Sequence, residues 1–112
     1  MDLQSTTHGT YKFISVNAER IDASVAIQFK DAMRVEADDG PDHVVLDLGQ
    51  VKFIDSSGLG AIVAAMKQMG KGRKLDLAAL TPDVEKVFRL TRMDTVFTIH
   101  PDVPGAAERE AG

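Results

Sequence analysis

Short apolar runs alternate along this chain with longer stretches whose apolar side chains recur at helical spacing. That alternation restricts the fold more than any other feature, because strands separated by helices of this length build a largely parallel α/β sheet. His43 to Leu48 (HVVLDL) is almost continuously apolar and too short for a helix, as expected of a strand covered on at least one face. After the turn Asp55-Ser56-Ser57-Gly58, the side chains Leu59, Ile62, Val63, Met66 and Met69 form an i, i+3, i+4, i+7 stripe. Gly70 and Gly72 end that helix, with Lys67, Lys71, Arg73 and Lys74 placed where cations suit the negative end of the helix dipole.

The same rhythm continues on both sides. Leu75 to Leu80 reads as the next strand, and Thr81-Pro82 as the cap and first residue of a helix carrying Val84, Val87 and Phe88 on one face. Val96 to Ile99 reads as a last short strand, broken by Pro101-Asp102-Val103-Pro104-Gly105. Towards the start, Thr10 to Val16 is a strand that pairs with Leu3–Thr7 through a His8-Gly9 turn. Asp22 reads as the N-cap of a helix bearing Val25, Phe29 and Met33, with Ala26, Ala32 and Ala37 beside them. Asp38-Asp39-Gly40-Pro41 stops it.

The expected order is therefore β(β)α-β-α-β-α-β: an α/β sheet, mostly parallel, with an antiparallel hairpin at its start. Three or four helices suffice to cover mainly one face. The 112 residues correspond to one domain, with a core at about 10–100 and a polar tail at about 101–112 that frays or makes one turn of helix.

Composition removes several function classes. The chain has no cysteine, which excludes disulfides, thiolate metal sites and cysteine nucleophiles, and fits a reducing cytoplasm. A formal net charge of −4 argues against nucleic acid, whose phosphates need clustered Lys and Arg. The polar N-terminus, Met1 to Thr10, lacks a signal-peptide pattern. No apolar run approaches the roughly 20 residues that span a bilayer, so no membrane insertion is expected.

Catalytic motifs fail in turn. His8 falls in a turn, His43 at a strand entrance and His100 at a strand end. None has metal-ligand spacing, so all three read as surface or edge histidines and no metal is expected. Ser56 and Ser57 stand at a strand-to-helix turn, but a nucleophile elbow needs glycine two residues before and after the serine. Ile54 and Asp55 occupy those preceding positions. Gly58-Leu59-Gly60 lacks both the third glycine of a dinucleotide fingerprint and a following Gly-Lys-Ser/Thr, so no cofactor is expected either.

The turn Asp55-Ser56-Ser57-Gly58 remains, and it supports two readings. Side-chain oxygens at a helix start cap free backbone N–H groups, and small glycines allow close packing, so the motif can be purely structural. The same geometry exposes a hydroxyl to a kinase. A phosphate there would meet orphan N–H groups and the positive end of the dipole. With Asp55, and Asp22 beside it, the patch would become strongly acidic.

Val44-Val45-Leu46-Asp47-Leu48 followed by Phe53-Ile54-Asp55-Ser56-Ser57-Gly58-Leu59-Gly60 closely resembles the STAS-domain family, and within it the stand-alone anti-sigma-factor antagonists of bacteria. The likeness continues through Thr81-Pro82-Asp83-Val84 and Val87-Phe88 and covers roughly residues 10 to 100. It implies a STAS-like mixed β-sheet of four to five strands with helices mainly on one face. It also implies a cytoplasmic, non-enzymatic protein that binds an anti-sigma factor, commonly a serine kinase, in a partner-switching pathway. The kinase would inactivate it by phosphorylation and a serine phosphatase would restore it. The phosphorylated serine of the family motif falls on Ser56, with Ser57 the runner-up, and the partner surface on Asp22, Asp55, Ser56, Ser57, Gly58 and Leu59. Asp22 matches an acidic position in the family's Gly-Glu-Leu-Asp segment, but this chain reads Glu19-Arg20-Ile21-Asp22, with a basic residue among the acids. The alternative is a non-phosphorylated STAS adaptor subunit of a transport or signalling complex.

Overall fold

A computed structural model describes residues 1–38 and 40–103. The expected polar tail from Ala106 to Gly112, and Asp39 of the helix-stopping turn, lie outside the described residues. The central sheet has five strands in the order β1 (Leu3–His8), β2 (Tyr11–Val16), β4 (His43–Asp47), β6 (Lys74–Ala78) and β7 (Ile99–His100). β1 and β2 form the expected antiparallel hairpin, turned by Gly9 at φ 64°, a conformation glycine adopts without a side-chain clash. The other neighbours are parallel. Beside this sheet, β3 (Arg20–Ile21) and β5 (Phe53–Ile54) make a short parallel ribbon that the sequence pattern did not announce.

Strand alternation sorts the side chains. Ile14, Val16, Val44, Leu46, Leu48, Leu75 and Leu77 face the helices and are buried with Phe29 and Met33 of α1 (Ala26–Glu36). Ala61, Ile62 and Ala65 of α2 (Ser56–Met69) and Val84 and Phe88 of α3 (Pro82–Leu90) complete this core. The other face carries a smaller cluster of Phe13, Val45, Ala78 and Val103, with Tyr11 packed against it. The helices thus lie on one face, as expected of the α/β pattern. Buried apolar residues reach outward to Leu3 and Val103, beyond the core span of about 10–100.

Four local expectations need correction. Asp22 is not the cap of α1; Val25 is, and no side chain caps it. Pairing of β3 with β5 keeps Arg20 and Ile21 extended. Asp22 then spends its Oδ1 on a turn of its own, accepting from the Ser24 N–H at 3.1 Å and the Ser24 hydroxyl at 2.6 Å. The last strand is Ile99–His100 and not Val96–Ile99, because Met93–Thr95 forms a 3₁₀ turn and Phe97 is drawn into the core edge-on to Phe88, ring centres 6.1 Å apart. Thr81 does precede α3, yet its hydroxyl donates to the Val51 carbonyl at 2.7 Å and makes no cap bond.

The fourth correction concerns the histidines. Only His8 is fully exposed. His43 and His100 are half-buried, and each Nε2 lies within hydrogen-bond distance of the same Asp76 Oδ2, at 2.7 and 2.8 Å. A carboxylate can only accept, so each ring presents its Nε2–H to this oxygen. Asp76 is 1% exposed, its Oδ1 has no hydrogen-bond partner, and Lys74 Nζ stands 3.8 Å from it. Tyr11 lies over the His43 ring at 4.4 Å. The cluster fastens β4, β6 and β7 together on the face away from the helices.

Candidate functional site

β5 runs into α2 through Asp55, whose extended backbone (φ −107°, ψ −175°) turns the chain into the helix. Both oxygens of its carboxylate are used. Oδ1 accepts from the Gly58 N–H at 2.9 Å, capping the first turn of α2. Oδ2 accepts from the Ala23 N–H at 3.2 Å and so holds the lead-in to α1 against the same turn. One side chain therefore fixes two segments that the sequence separates by 32 residues.

Gly58 explains why the motif ends in glycine. A Cβ at this position would lie 1.9 Å from the Ile21 carbonyl oxygen and 2.9 Å from Ile54 Cγ1. The helix approaches the β3 backbone too closely for any side chain. Gly60, two residues on, has nothing within 4 Å of a built Cβ and is exposed. Leu59 is half-buried and joins the main core.

With Asp55 and Gly58 occupied in this way, Ser56 and Ser57 are left on the outside. Both are exposed, and neither hydroxyl makes a hydrogen bond among the described residues. They sit on the first turn of α2, where backbone N–H groups point outward and the dipole is positive. His43 and His100 are committed to Asp76 on the far face of the sheet, and His8 belongs to the hairpin. No imidazole therefore stands at either serine to act as a base. Among the described residues no group of three or more His, Cys, Asp or Glu could hold a metal ion. The turn offers acceptor hydroxyls and a positive backbone, but no catalytic group to use them.

The flanks of the turn carry its charge. Asp22 accepts from Arg20 Nε at 3.2 Å. Its carboxyl is held below the usual carboxylate range, chiefly by the Ser24 hydroxyl bond and then by Arg20. The Arg20 guanidinium lies over the Phe53 ring, 4.3 Å from its centre, so the β3–β5 ribbon presents a stacked Arg–Phe pair one step from the turn. Ile27, near the start of α1, is 73% exposed and Phe53 41%. Sequence reasoning passed over both. Ile27 could have been noticed, because it falls off the Phe29–Met33 stripe and places a large aliphatic group on the polar side of α1. Clefts lined by Arg34, Asp38, Gln68 and Arg73, and by Lys52, Thr81, Pro82 and Asp83, do not include either serine. The hydroxyls project from a surface, which suits a macromolecular partner better than a small substrate.

A five-stranded α/β sheet with its helices on one face, and a hydroxyl-bearing turn at the head of the second helix, define the class of fold. Residues 3–106 match the family model of the STAS domain, and the chain belongs to that family. It is 35% identical over 98 residues to a Bordetella bronchiseptica protein bearing the provisional name anti-sigma factor antagonist BtrV, covering 87% of this chain and 72% of the relative. An anti-sigma factor antagonist from Mycobacterium paratuberculosis superposes with a TM-score of 0.81 at 25% identity, covering 99% of this chain and 94% of that one. SpoIIAA in its unphosphorylated form shares the fold, with a TM-score of 0.72 at 18% identity, covering 99% and 97% of the two chains. Bacillus SpoIIAA has also been solved phosphorylated, with a TM-score of 0.66 at 16% identity over 96% and 98%.

Proposed function

We propose that this protein is an anti-sigma factor antagonist, a binding protein and not an enzyme. It docks the Ser56 turn, the adjoining face of α2 and the Asp22 loop onto an anti-sigma factor. The reading continues that this partner is a serine kinase, that phosphorylation of Ser56 in the cytoplasm ends the interaction, and that a phosphatase restores it. One observation carries this: Ser56 and Ser57 are exposed and unbonded on a turn whose neighbours, Asp55 and Gly58, are fully engaged. A phosphate there adds nearly two negative charges without removing a native contact of the hydroxyl. The names of the relatives support the binding role, and SpoIIAA, a protein of the same fold, has been solved in a phosphorylated form.

Capture of partners from the native cell on wild type, Ser56→Ala and Ser56→Asp, with phosphosite mapping, tests the proposal. Ser56→Ala should retain the anti-sigma factor and gain no phosphate at the turn, while Ser56→Asp should retain much less of it. Phosphate appearing on Ser56→Ala as on wild type would move the assignment to Ser57. Recovery of a transport or signalling assembly, with no anti-sigma factor and no phosphate, would replace the proposal by the adaptor role.

A further inference from the structure

We propose that Arg20 is a phosphate-responsive arm of the turn: when Ser56 carries a phosphate, the guanidinium exchanges Asp22 for the phosphate and uncovers both Asp22 and the Phe53 ring. This deepens the preceding reading and rests on Ser56 as the modified residue. Arg20 is the position where this chain sets a basic residue between Glu19 and Asp22.

Three observations support the exchange. The first is placement. Arg20 is the register partner of Phe53 in a parallel ribbon, three residues before Ser56, and its Nε already leans along the strand to Asp22. An extended residue advances about 3.3 Å, so Ser56 lies about 10 Å along the ribbon from Phe53, a gap that the long arginine side chain and a phosphoserine close from both ends. The second is the weakness of the present arrangement. Its ion pair with Asp22 uses Nε alone, and the Arg20 side chain is 61% exposed, where a single-point pair is screened and worth little. The third is chemistry. A phosphate offers a fork-shaped guanidinium two parallel charge-assisted bonds, and the dianion outweighs one carboxylate. Asp55 is no competitor, since both its oxygens serve backbone N–H groups. Lys52, the other cation on this ribbon, faces Glu19 at 3.6 Å and offers only a point charge.

The consequence is a switch with two outputs. The phosphate changes the charge of the turn directly. By drawing Arg20 away it also leaves Asp22 without its cation and bares the Phe53 face, so the acid and the ring on β3–β5 change together with Ser56.

Phosphoserine encoded biosynthetically at position 56 provides the test without any kinase. Unmodified and phosphorylated proteins are prepared with Arg20 and as Arg20→Ala, and urea unfolding is read as a cycle. Coupling of about tenfold in the unfolding constant is expected, the phosphate being better tolerated when Arg20 is present. In nitrogen-edited spectra the Arg20 Nε–H and Ser24 N–H resonances should move when position 56 is phosphorylated and stay in place when phosphoserine is encoded at 57. Coupling near unity with an unmoved Arg20 Nε–H overturns the proposal. Because the phosphate is encoded, that failure would leave cellular phosphorylation of Ser56 standing, and absence of cellular phosphate would not alter the cycle.

Discussion

Two alanine substitutions two residues apart should change stability in opposite directions. At Gly58 a Cβ would meet the Ile21 carbonyl oxygen at 1.9 Å and its carbon at 2.8 Å. Carbon–oxygen contacts run at about 3.3 Å or more, so helix and strand must separate by roughly 1.4 Å at that point. Neither side moves freely. The Ile21 side chain is fully buried in the core, and the next turn is tied to Asp55 through the Ala23 N–H. Separation forfeits that charge-assisted bond, about 1.5–3 kcal/mol, and overpacks the junction by about 1–3 kcal/mol. Against this, alanine gains at most about 1 kcal/mol of helix propensity over glycine. The net expectation for Gly58→Ala is a loss of about 2–4 kcal/mol. With a urea slope of about 1–3 kcal/mol per molar for a small domain, the midpoint should fall by about 1–2 M at unchanged slope. Gly60→Ala meets nothing and should raise stability by about 0.5–1 kcal/mol. An unchanged or higher midpoint for Gly58→Ala would refute the claim that close backbone approach, and not helix capping alone, requires this glycine.

Other consequences can be measured on the same protein. Asp55→Ala removes the acceptor of both the Gly58 and Ala23 N–H groups and should cost about 2–3 kcal/mol in thermal or urea unfolding. A cost below half a kcal/mol would show that Asp55 does not join the two segments. Asp76→Ala leaves two half-buried imidazoles without their shared acceptor and should cost about 2–3 kcal/mol. Hydrogen exchange should quicken first at the Ala79 N–H, which donates to the His100 carbonyl at the β7 edge. Asp22 ionises more readily in the fold than in the unfolded chain. Its contribution is therefore present above the ordinary carboxylate range and is lost as pH falls through the lowered folded value. The Ser24 N–H resonance should report that midpoint. Ser24→Ala and Arg20→Ala should each raise it, because each removes a cause of the lowering; an unmoved midpoint in both would contradict this assignment.

Sequence pattern reached the elements whose signal is local. α2 has its cap at Asp55 and its terminal glycine at Gly70 where the pattern puts them; of the apolar stripe Ile62 is buried, while Leu59, Val63, Met66 and Met69 pack partly buried beside Ala61 and Ala65. What escaped depends on partners distant in sequence. The β3–β5 ribbon consists of two residues from each segment, too few to show a period, and exists because Glu19 accepts from the Lys52 and Phe53 N–H groups. Asp22 looks like a cap because nothing local says that β3 must finish before α1 can start. His43 and His100 read as edge residues because their common partner, Asp76, lies 33 and 24 residues away. One signal was available there: Leu75-Asp76-Leu77 places a charged residue in the middle of an apolar strand, which demands a partner if the strand is buried. The Asp55-Ser56-Ser57-Gly58 turn was legible as a motif. Which of its four residues turn inward was not, because only the contacts of Asp55 and Gly58 decide that.

Those contacts also decide what kind of switch the turn can form. Asp55 is bonded on both oxygens, Gly58 is in backbone contact with Ile21, and Ile62 and Ala65 of α2 are locked in the core. A charge placed on Ser56 has no loose element to order and no core side chain to displace; the side chain it can move is the surface arm Arg20. Beyond that contact its effect travels through the surface field, which falls away over about 8 Å at physiological salt. The surface residues flanking Ser56 are those of the turn and the adjoining ribbon: Asp22, Ser57, Leu59 and the Arg20–Phe53 pair. Asp22 and the Arg20–Phe53 pair differ from Ile27 in kind. A charge can repel or recruit an acid and a guanidinium, but an exposed aliphatic group contributes the same contact area in either state. Under the proposed function, Ile27 would therefore supply affinity common to both forms, and the ribbon would supply the difference between them.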